Sequence, residues 1–289
     1  MAQPTIDPVQ IKQQQRRTWD AVSAGWEAST EVFERYASRV TARLLDLGGV
    51  RDGQAVLDIG TGLGEPALSA GRLVGPGGRV LGIDLSPAMV GAARRRSAGV
   101  PAVAYEVADL EDSGRLPAGS FDVALSRWGL MFAVDHVAAF RAVARLLVPG
   151  GVLAASVWGP PAAAPVVAFG FAALSQLLRL PPPPPGTPGP FSMADPAALA
   201  ADLAAAGFAD AAVEELAVPF RFASTGRYVE FCRATTPPGL LDAIRERTGD
   251  ADDPATWHAV GAAARERFAD GDGLLLPSTA LCLRAATPA

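Results

Sequence analysis

The chain has 289 residues, an apolar fraction of 49% and a formal net charge of −5; these proportions exclude a disordered chain and fit one α/β core with a smaller appendage. The acidic balance argues against a duplex-binding surface, which needs clustered Lys and Arg to neutralise phosphates, so no nucleic-acid partner is expected. Two cysteines, Cys232 and Cys282, make at most one disulfide and no zinc-ligand spacing, so no metal is expected and free thiols in a reducing, cytoplasmic setting are.

The first residues, MAQPTIDPVQIKQQQRR, lack the apolar run of a secretory leader, and Lys12 among them is the chain's only lysine. Trp19, Val22 and Trp26 fall on one helical face, and Phe33, Tyr36, Val40, Leu44 and Leu47 continue as a second helix ended by Gly48-Gly49. Five short apolar runs then read as strands: Ala55 to Ile59, Arg79 to Asp84, Ala102 to Val107, Phe121 to Ser126 and Val152 to Trp158. Between them, Ser86-Pro87 and Asp135 open helices, the second stopping at Pro149-Gly150-Gly151. Arg94-Arg95-Arg96 is expected to spread round a solvated helix face. This alternation predicts right-handed βαβ units and a parallel sheet buried on both faces.

After Trp158 the character changes. Val166 to Leu180 is apolar but too short for a membrane span, and Pro181 to Pro185 reads as an extended spacer. Helices are expected over Pro196 to Ala206, Tyr228 to Arg233, Leu240 to Arg247 and Pro254 to Phe268. A strand broken near Pro219 is expected over Ala211 to Phe222, and a last one over Thr279 to Ala285.

The informative stretch is Val56-Leu57-Asp58-Ile59-Gly60-Thr61-Gly62-Leu63-Gly64, a strand running into a tight turn and a helix expected to start near Leu63. Glycines let the backbone approach a ligand, and the helix start adds a positive dipole. Glu65 stands where a dinucleotide fingerprint wants its third glycine, and a carboxylate there would oppose a pyrophosphate. Asp58, just before the glycines, suits a cationic ligand end. Asp84 ends the next strand, where a carboxylate can grip two ribose hydroxyls; Ser86 already supplies the helix cap. Asp109, after the third strand, could accept a hydrogen bond from an exocyclic amine, with Leu110 packing on a ring.

Together VLDIGTGLGEPAL, VLGIDLSPAMV, VADLEDSGRLPAGSFDVALSRWGLMF and LLVPGGVLAASVW resemble a class I S-adenosylmethionine-dependent methyltransferase of the UbiE-like, small-molecule (type 11) group, over about Gln54 to Trp158. The resemblance implies a Rossmann-like αβα sandwich with a mostly parallel seven-stranded sheet, its last strand antiparallel, plus helical lid insertions. It implies S-adenosylmethionine as cofactor, with S-adenosylhomocysteine as product. Asp58, Gly60, Thr61, Gly62 and Gly64 would hold the methionine end, Asp84 the ribose, Leu85 and Met89 the adenine faces, and Asp109 with Leu110 the adenine amine. Ser126 and Arg127 would sit beside the sulfonium. His136 stands where relatives often have proline and is expected at a wetted helix start, and His258 has a similar bland setting. The division expected is 1–50 as covering helices, 51–160 as the cofactor core and 161–289 as a lid and substrate region carrying the last two sheet strands.

The acceptor is outlined by side chains at the carboxyl edge, where α/β sheets bind ligands: Trp26, Phe33, Tyr36, Trp128 and Met131, with Trp19 and Phe132 nearby. They predict a hydrophobic, aromatic acceptor of polyketide or isoprenoid kind, a small metabolite or natural product methylated on oxygen or carbon; a monomer or homodimer is expected. Segments Pro160 to Phe208 and Tyr228 to Phe268 would form its lid. Ser126-Arg127-Trp128-Gly129 departs from the D/N-P-P-Y sequence of nucleobase amino-methylating enzymes, and no catalytic base stands out. Two alternatives stay open: a non-methylating S-adenosylmethionine-binding enzyme such as a cyclase, and an NAD(P)-dependent oxidoreductase, which Glu65 and the Asp109 loop disfavour.

Overall fold

Residues 7–184 and 186–289 are described by the computed structural model, apart from the side chains of Ser113 and Arg115. Met1 to Ile6 of the N-terminal stretch and Pro185 of the proline run lie outside the described residues. Two helices come first, α1 (Pro8–Ala28) and α2 (Thr30–Gly48). Asp7 caps α1 through the Val9 N–H at 2.9 Å, and Gly49, in the left-handed region at φ 60°, ends α2.

The βα alternation follows as β1 (Ala55–Ile59), α3 (Ala67–Leu73), β2 (Arg79–Asp84), α4 (Pro87–Arg96), β3 (Val103–Val107), β4 (Phe121–Arg127), α5 (His136–Leu146) and β5 (Leu147–Trp158). The C-terminal part adds α6 (Pro165–Leu178), α7 (Pro196–Ala205), β6 (Ala209–Phe222), α8 (Thr225–Thr235), α9 (Pro238–Thr248), α10 (Pro254–Phe268), the two-residue β7 (Ala269–Asp270) and β8 (Gly273–Ala286). Seven strands run in the order β3-β2-β1-β4-β5-β8-β6, with β7 hung on β8. β1 to β5 are mutually parallel, and β8 lies antiparallel between β5 and β6. All five residues of β1 are buried, as helices on both sheet faces require. Leu57, Leu125 and Leu153 of β1, β4 and β5 are wholly enclosed, each contributing roughly 1.5–3 kcal/mol by burial.

Several boundaries differ from the sequence expectations. α3 begins at Ala67 rather than near Leu63, because residues 62–66 stay in turns that hold the loop open above β1. Leu147 belongs to β5, not to the preceding helix; Pro149 disfavours helical backbone at Val148 and the chain straightens early. β6 is continuous through Pro219, which faces Pro277 of β8. Two opposed residues without N–H groups can meet only where an antiparallel ladder exchanges no hydrogen bond, so neither proline costs the sheet a bond. β8 accordingly starts six residues earlier than the pattern around Pro277 suggests, at Gly273 rather than Thr279.

α1 crosses both α4 and α8. A side chain on Gly25 would put its Cβ 1.7 Å from the Ala234 carbonyl oxygen, so a glycine is needed where α1 and α8 touch. Among the described residues no helix is long and apolar enough to cross a membrane.

Candidate functional site

The carboxyl ends of β1 to β4 bring the predicted cofactor residues to one edge of the sheet. Asp58 is fully buried at the end of β1. Its Oδ2 accepts the Thr61 hydroxyl at 2.6 Å and the Ala67 N–H at 3.0 Å, while Oδ1 has no partner. Burial pushes its pKa from the ordinary 3.8 up to about 7, against the pull of those two bonds. Gly60 has φ 65°, and a Cβ there would stand 2.9 Å from the Cα of Gly129, so the turn and the end of β4 meet backbone to backbone. Gly62 and Gly64 also have positive φ, and nothing lies within 4 Å of the position a Cβ on Gly62 would take.

Asp84 receives the Gly62 N–H on Oδ2 and the Ser86 N–H on Oδ1, both at 2.9 Å. Burial raises its pKa, and the backbone donors of Ser86 and Gly62 oppose that shift. Ser86 Oγ does cap α4, accepting the Met89 N–H at 3.1 Å, and donates to Asp20 of α1 at 2.6 Å. Met89 and Leu110 are buried and Leu85 is half-buried beside them. Asp109 accepts the Glu111 N–H at 2.9 Å and pairs with Lys12 at 2.7 Å. Ser126 staples the end of β4 to β1, donating to the Ile59 carbonyl at 2.8 Å and accepting the Leu130 N–H at 3.2 Å. The Arg127 guanidinium turns to α2, donating to both carboxylate oxygens of Glu34 and to Thr41 Oγ1 at 2.9 Å.

The state of Asp58 has a measurable consequence. A carboxyl group whose folded pKa exceeds its unfolded value binds more protons when folded, so its contribution to stability falls as pH rises from about 4 to about 7. Asp58→Asn, which never ionises, should therefore match the wild type at the acid end and gain on it steadily through that window in thermal unfolding. A constant difference between the two curves would contradict the burial argument.

Of the five residues expected to face the acceptor, four meet in one aromatic cluster. Trp26 lies edge-on to Phe33 at 5.1 Å and to Phe231 at 5.8 Å. Phe33 reaches Trp128 and Phe220, each at 5.4 Å, and Tyr36 reaches Phe220 at 5.3 Å. Trp128 stacks on Trp158 at 4.2 Å and 11°, under the Arg127 guanidinium at 5.5 Å. Its backbone is left-handed at φ 58° and its indole N–H is buried without a partner, a costly pairing of features of the kind that gathers at ligand sites. Met131 is buried in the adjoining short turn Leu130–Phe132, its carbonyl accepting the Ser192 hydroxyl at 2.5 Å.

Several residues at this edge escape sequence reasoning. Lys12, Gln15 and Asp20 join the already expected Trp19 on the side of α1 that closes over it: Gln15 donates to the Phe132 carbonyl at 2.8 Å and Trp19 meets the Phe132 ring edge-on at 5.1 Å. Glu34, Trp158, Phe220 and Phe231 complete the set. Of the residues missed, Lys12 alone carries a signal, its uniqueness in the chain. The two histidines stand apart: His136 opens α5 with Nδ1 3.5 Å from Asp202, and His258 is exposed on α10. The arginine run, expected merely to face solvent, is engaged at each residue, with the Tyr105 carbonyl, Glu27 and Thr30.

The open glycine turn, the orphaned Asp58 oxygen and Asp84 all lie within the segment that a family model matches. Residues 57–155 match the family described as a methyltransferase domain. These residues form a class I S-adenosylmethionine-dependent methyltransferase domain. Nocamycin O-methyltransferase of Saccharothrix syringae is 37% identical over 135 residues, 46% of this chain and 47% of that protein. The ubiquinone/menaquinone biosynthesis C-methyltransferase UbiE of Pseudomonas putida is 35% identical over 135 residues, 45% of this chain and 52% of that protein. The matched part thus spans about half the length of these curated relatives. Phosphoethanolamine N-methyltransferase 2 of Haemonchus contortus, solved with phosphomonomethylethanolamine and S-adenosylhomocysteine, superposes with a TM-score of 0.60 at 19% identity over 99% of this chain and 62% of that one, a likeness of fold.

The methyltransferase domain implies S-adenosylmethionine as cofactor, and its residues fit that group. Each Asp84 oxygen has taken one backbone donor and keeps capacity for another. The buried Asp58 Oδ1 lacks a donor, and the Gly62 backbone is open to approach. Lys12, Trp26, Phe33 and Tyr36 lie outside the matched segment, and Trp158 just beyond it.

Proposed function

We propose that the chain transfers the methyl group of S-adenosylmethionine to a small hydrophobic acceptor, as an O- or C-methyltransferase of a metabolite or natural product. The observation that carries this reading is the contact between the two halves of the edge. Trp128, in the middle of the aromatic cluster, precedes Gly129, whose Cα abuts the Gly60 turn. An apolar wall therefore begins one residue from the cofactor loop.

When bound, the cofactor supplies an electrophilic methyl group on a sulfonium. The protein's part is then alignment and the exclusion of water. Asp84 would bind the ribose hydroxyls, and Asp109 the adenine amine between Leu85, Met89 and Leu110. Asp58 and the Gly60, Thr61, Gly62, Gly64 turn would hold the methionine end. Ser126 fixes the turn from beneath, and Arg127 acts by tying α2 over the edge through Glu34. Trp26, Phe33, Tyr36, Trp128 and Met131 would face the acceptor, with Trp158, Phe220 and Phe231 behind them.

Two relatives named for O- and C-methylation support both chemistries equally. The same reading divides the chain into covering helices 1–50, cofactor core 51–160 and lid region 161–289. It also places a monomer or homodimer without a nucleic-acid partner in the cytoplasm, in keeping with the buried, unbridged Cys232 and Cys282.

Calorimetry with S-adenosylhomocysteine against NAD, followed by mass spectrometry of acceptor panels, tests the proposal. Binding of the homocysteine product and a gain of one methyl on apolar acceptors are expected. Preference for NAD, or turnover of highly charged acceptors alone, would overturn it.

A further inference from the structure

The ammonium of Lys12 sits between two carboxylates, 2.7 Å from Asp109 Oδ2 and 3.2 Å from Glu111 Oε2, with the three side chains 23%, 20% and 15% exposed. Two carboxylates sharing one nitrogen this closely would repel each other without it. Each is also tied by backbone. Asp109 Oδ1 accepts the Glu111 N–H at 2.9 Å, and Glu111 accepts the Asp135 N–H at 3.3 Å from the turn before α5. Lys12 itself arrives on a helix pinned at successive turns by Gln15 to the Phe132 carbonyl and by Asp20 to Ser86. Burial draws the Lys12 pKa down, but Asp109 and Glu111 outweigh it and leave it raised, so the bridge stays charged. No other lysine exists in the chain to replace it.

We propose that Lys12 is a base-selectivity residue: its bridge to Glu111 keeps the Asp109 carboxylate in place as an acceptor for an exocyclic amine, and so makes the site choose adenine over a ring with a keto oxygen at that position. This rests on the cofactor reading above. An ionised carboxylate offers about four lone-pair positions and no donor, and two are filled here by Glu111 N–H and Lys12. The remaining ones accept from an amine and repel a keto oxygen. Selectivity then depends on the carboxylate staying where it is, and Lys12 is the group that keeps two like charges together.

The test compares S-adenosylhomocysteine with S-inosylhomocysteine, which carries the keto oxygen, by calorimetry on wild type, Lys12→Met and Lys12→Arg. In Lys12→Met the adenosyl compound should bind about tenfold more weakly while the inosyl compound changes less than about twofold, so the ratio collapses. Lys12→Arg, which keeps the charge, should restore most of the ratio. Equal weakening of both compounds would mean that Lys12 only holds α1 down, and unchanged affinities would mean no role; either overturns the inference. Failure of the wild type to bind S-adenosylhomocysteine would instead overturn the cofactor reading.

Discussion

Arg127→Met should lower the free energy of unfolding by about 3 kcal/mol, the low end of the range for breaking a buried ion pair. The guanidinium is 7% exposed, and its removal strands Glu34, which is 25% exposed and so recovers some hydration. It also strips Thr41 of its donor and Trp128 of the cation above its ring. The double variant Arg127→Met, Glu34→Leu should regain most of the loss, since replacing both charges by apolar groups of similar size leaves no uncompensated carboxylate. Urea unfolding monitored by tryptophan fluorescence measures both. A loss below about 1 kcal/mol for the single variant would place the pair with ordinary surface salt bridges.

Asp84→Asn should weaken S-adenosylhomocysteine about a hundredfold, the loss of two charge-assisted hydrogen bonds. Both carboxylate oxygens accept backbone N–H groups, so an amide must set its NH2 against either Gly62 or Ser86 and distort the glycine turn as well. Stability should change far less, because burial already disfavours the charged form of Asp84 and the amide removes that cost. Unaltered affinity in calorimetry would remove Asp84 from the ribose position.

The five parallel strands and the glycine turn were legible because their signals are local. An apolar run bounded by glycine needs no distant partner to be recognised, and Arg79–Asp84 ends where the pattern ends. The pattern starts the helix after the turn too early, since nothing local reveals that the Ala67 N–H bonds the Asp58 carboxylate nine residues back. The resemblance sets Arg127 beside the sulfonium, and nothing local points instead to Glu34, 93 residues away, because a charge on a helix does not announce its partner. Trp26, Phe33, Tyr36 and Trp128 flank the core in sequence and stand out together, whereas Phe220 and Phe231 do not, because β6 and α8 reach the cluster only through the fold. Pro219 reads as a break and the last strand as starting only at Thr279; opposed across a ladder, Pro219 and Pro277 are each tolerated because of the other.

The insertion of β8 between β5 and β6 also sets the order in which the molecule can be completed during synthesis. Among the described residues β6 pairs with no strand but β8, and β5 has one unpaired side until residues 273–286 have been made. A nascent chain that has already emerged as far as α10 therefore leaves β5 open on one side and β6 open on both, each open side a template for pairing with another chain. Sheet closure waits for the final strand and is set by contacts of long sequence separation, such as Val152 with Ala286, which slow folding. Truncation before Gly273 is accordingly expected to yield aggregates rather than a smaller folded protein.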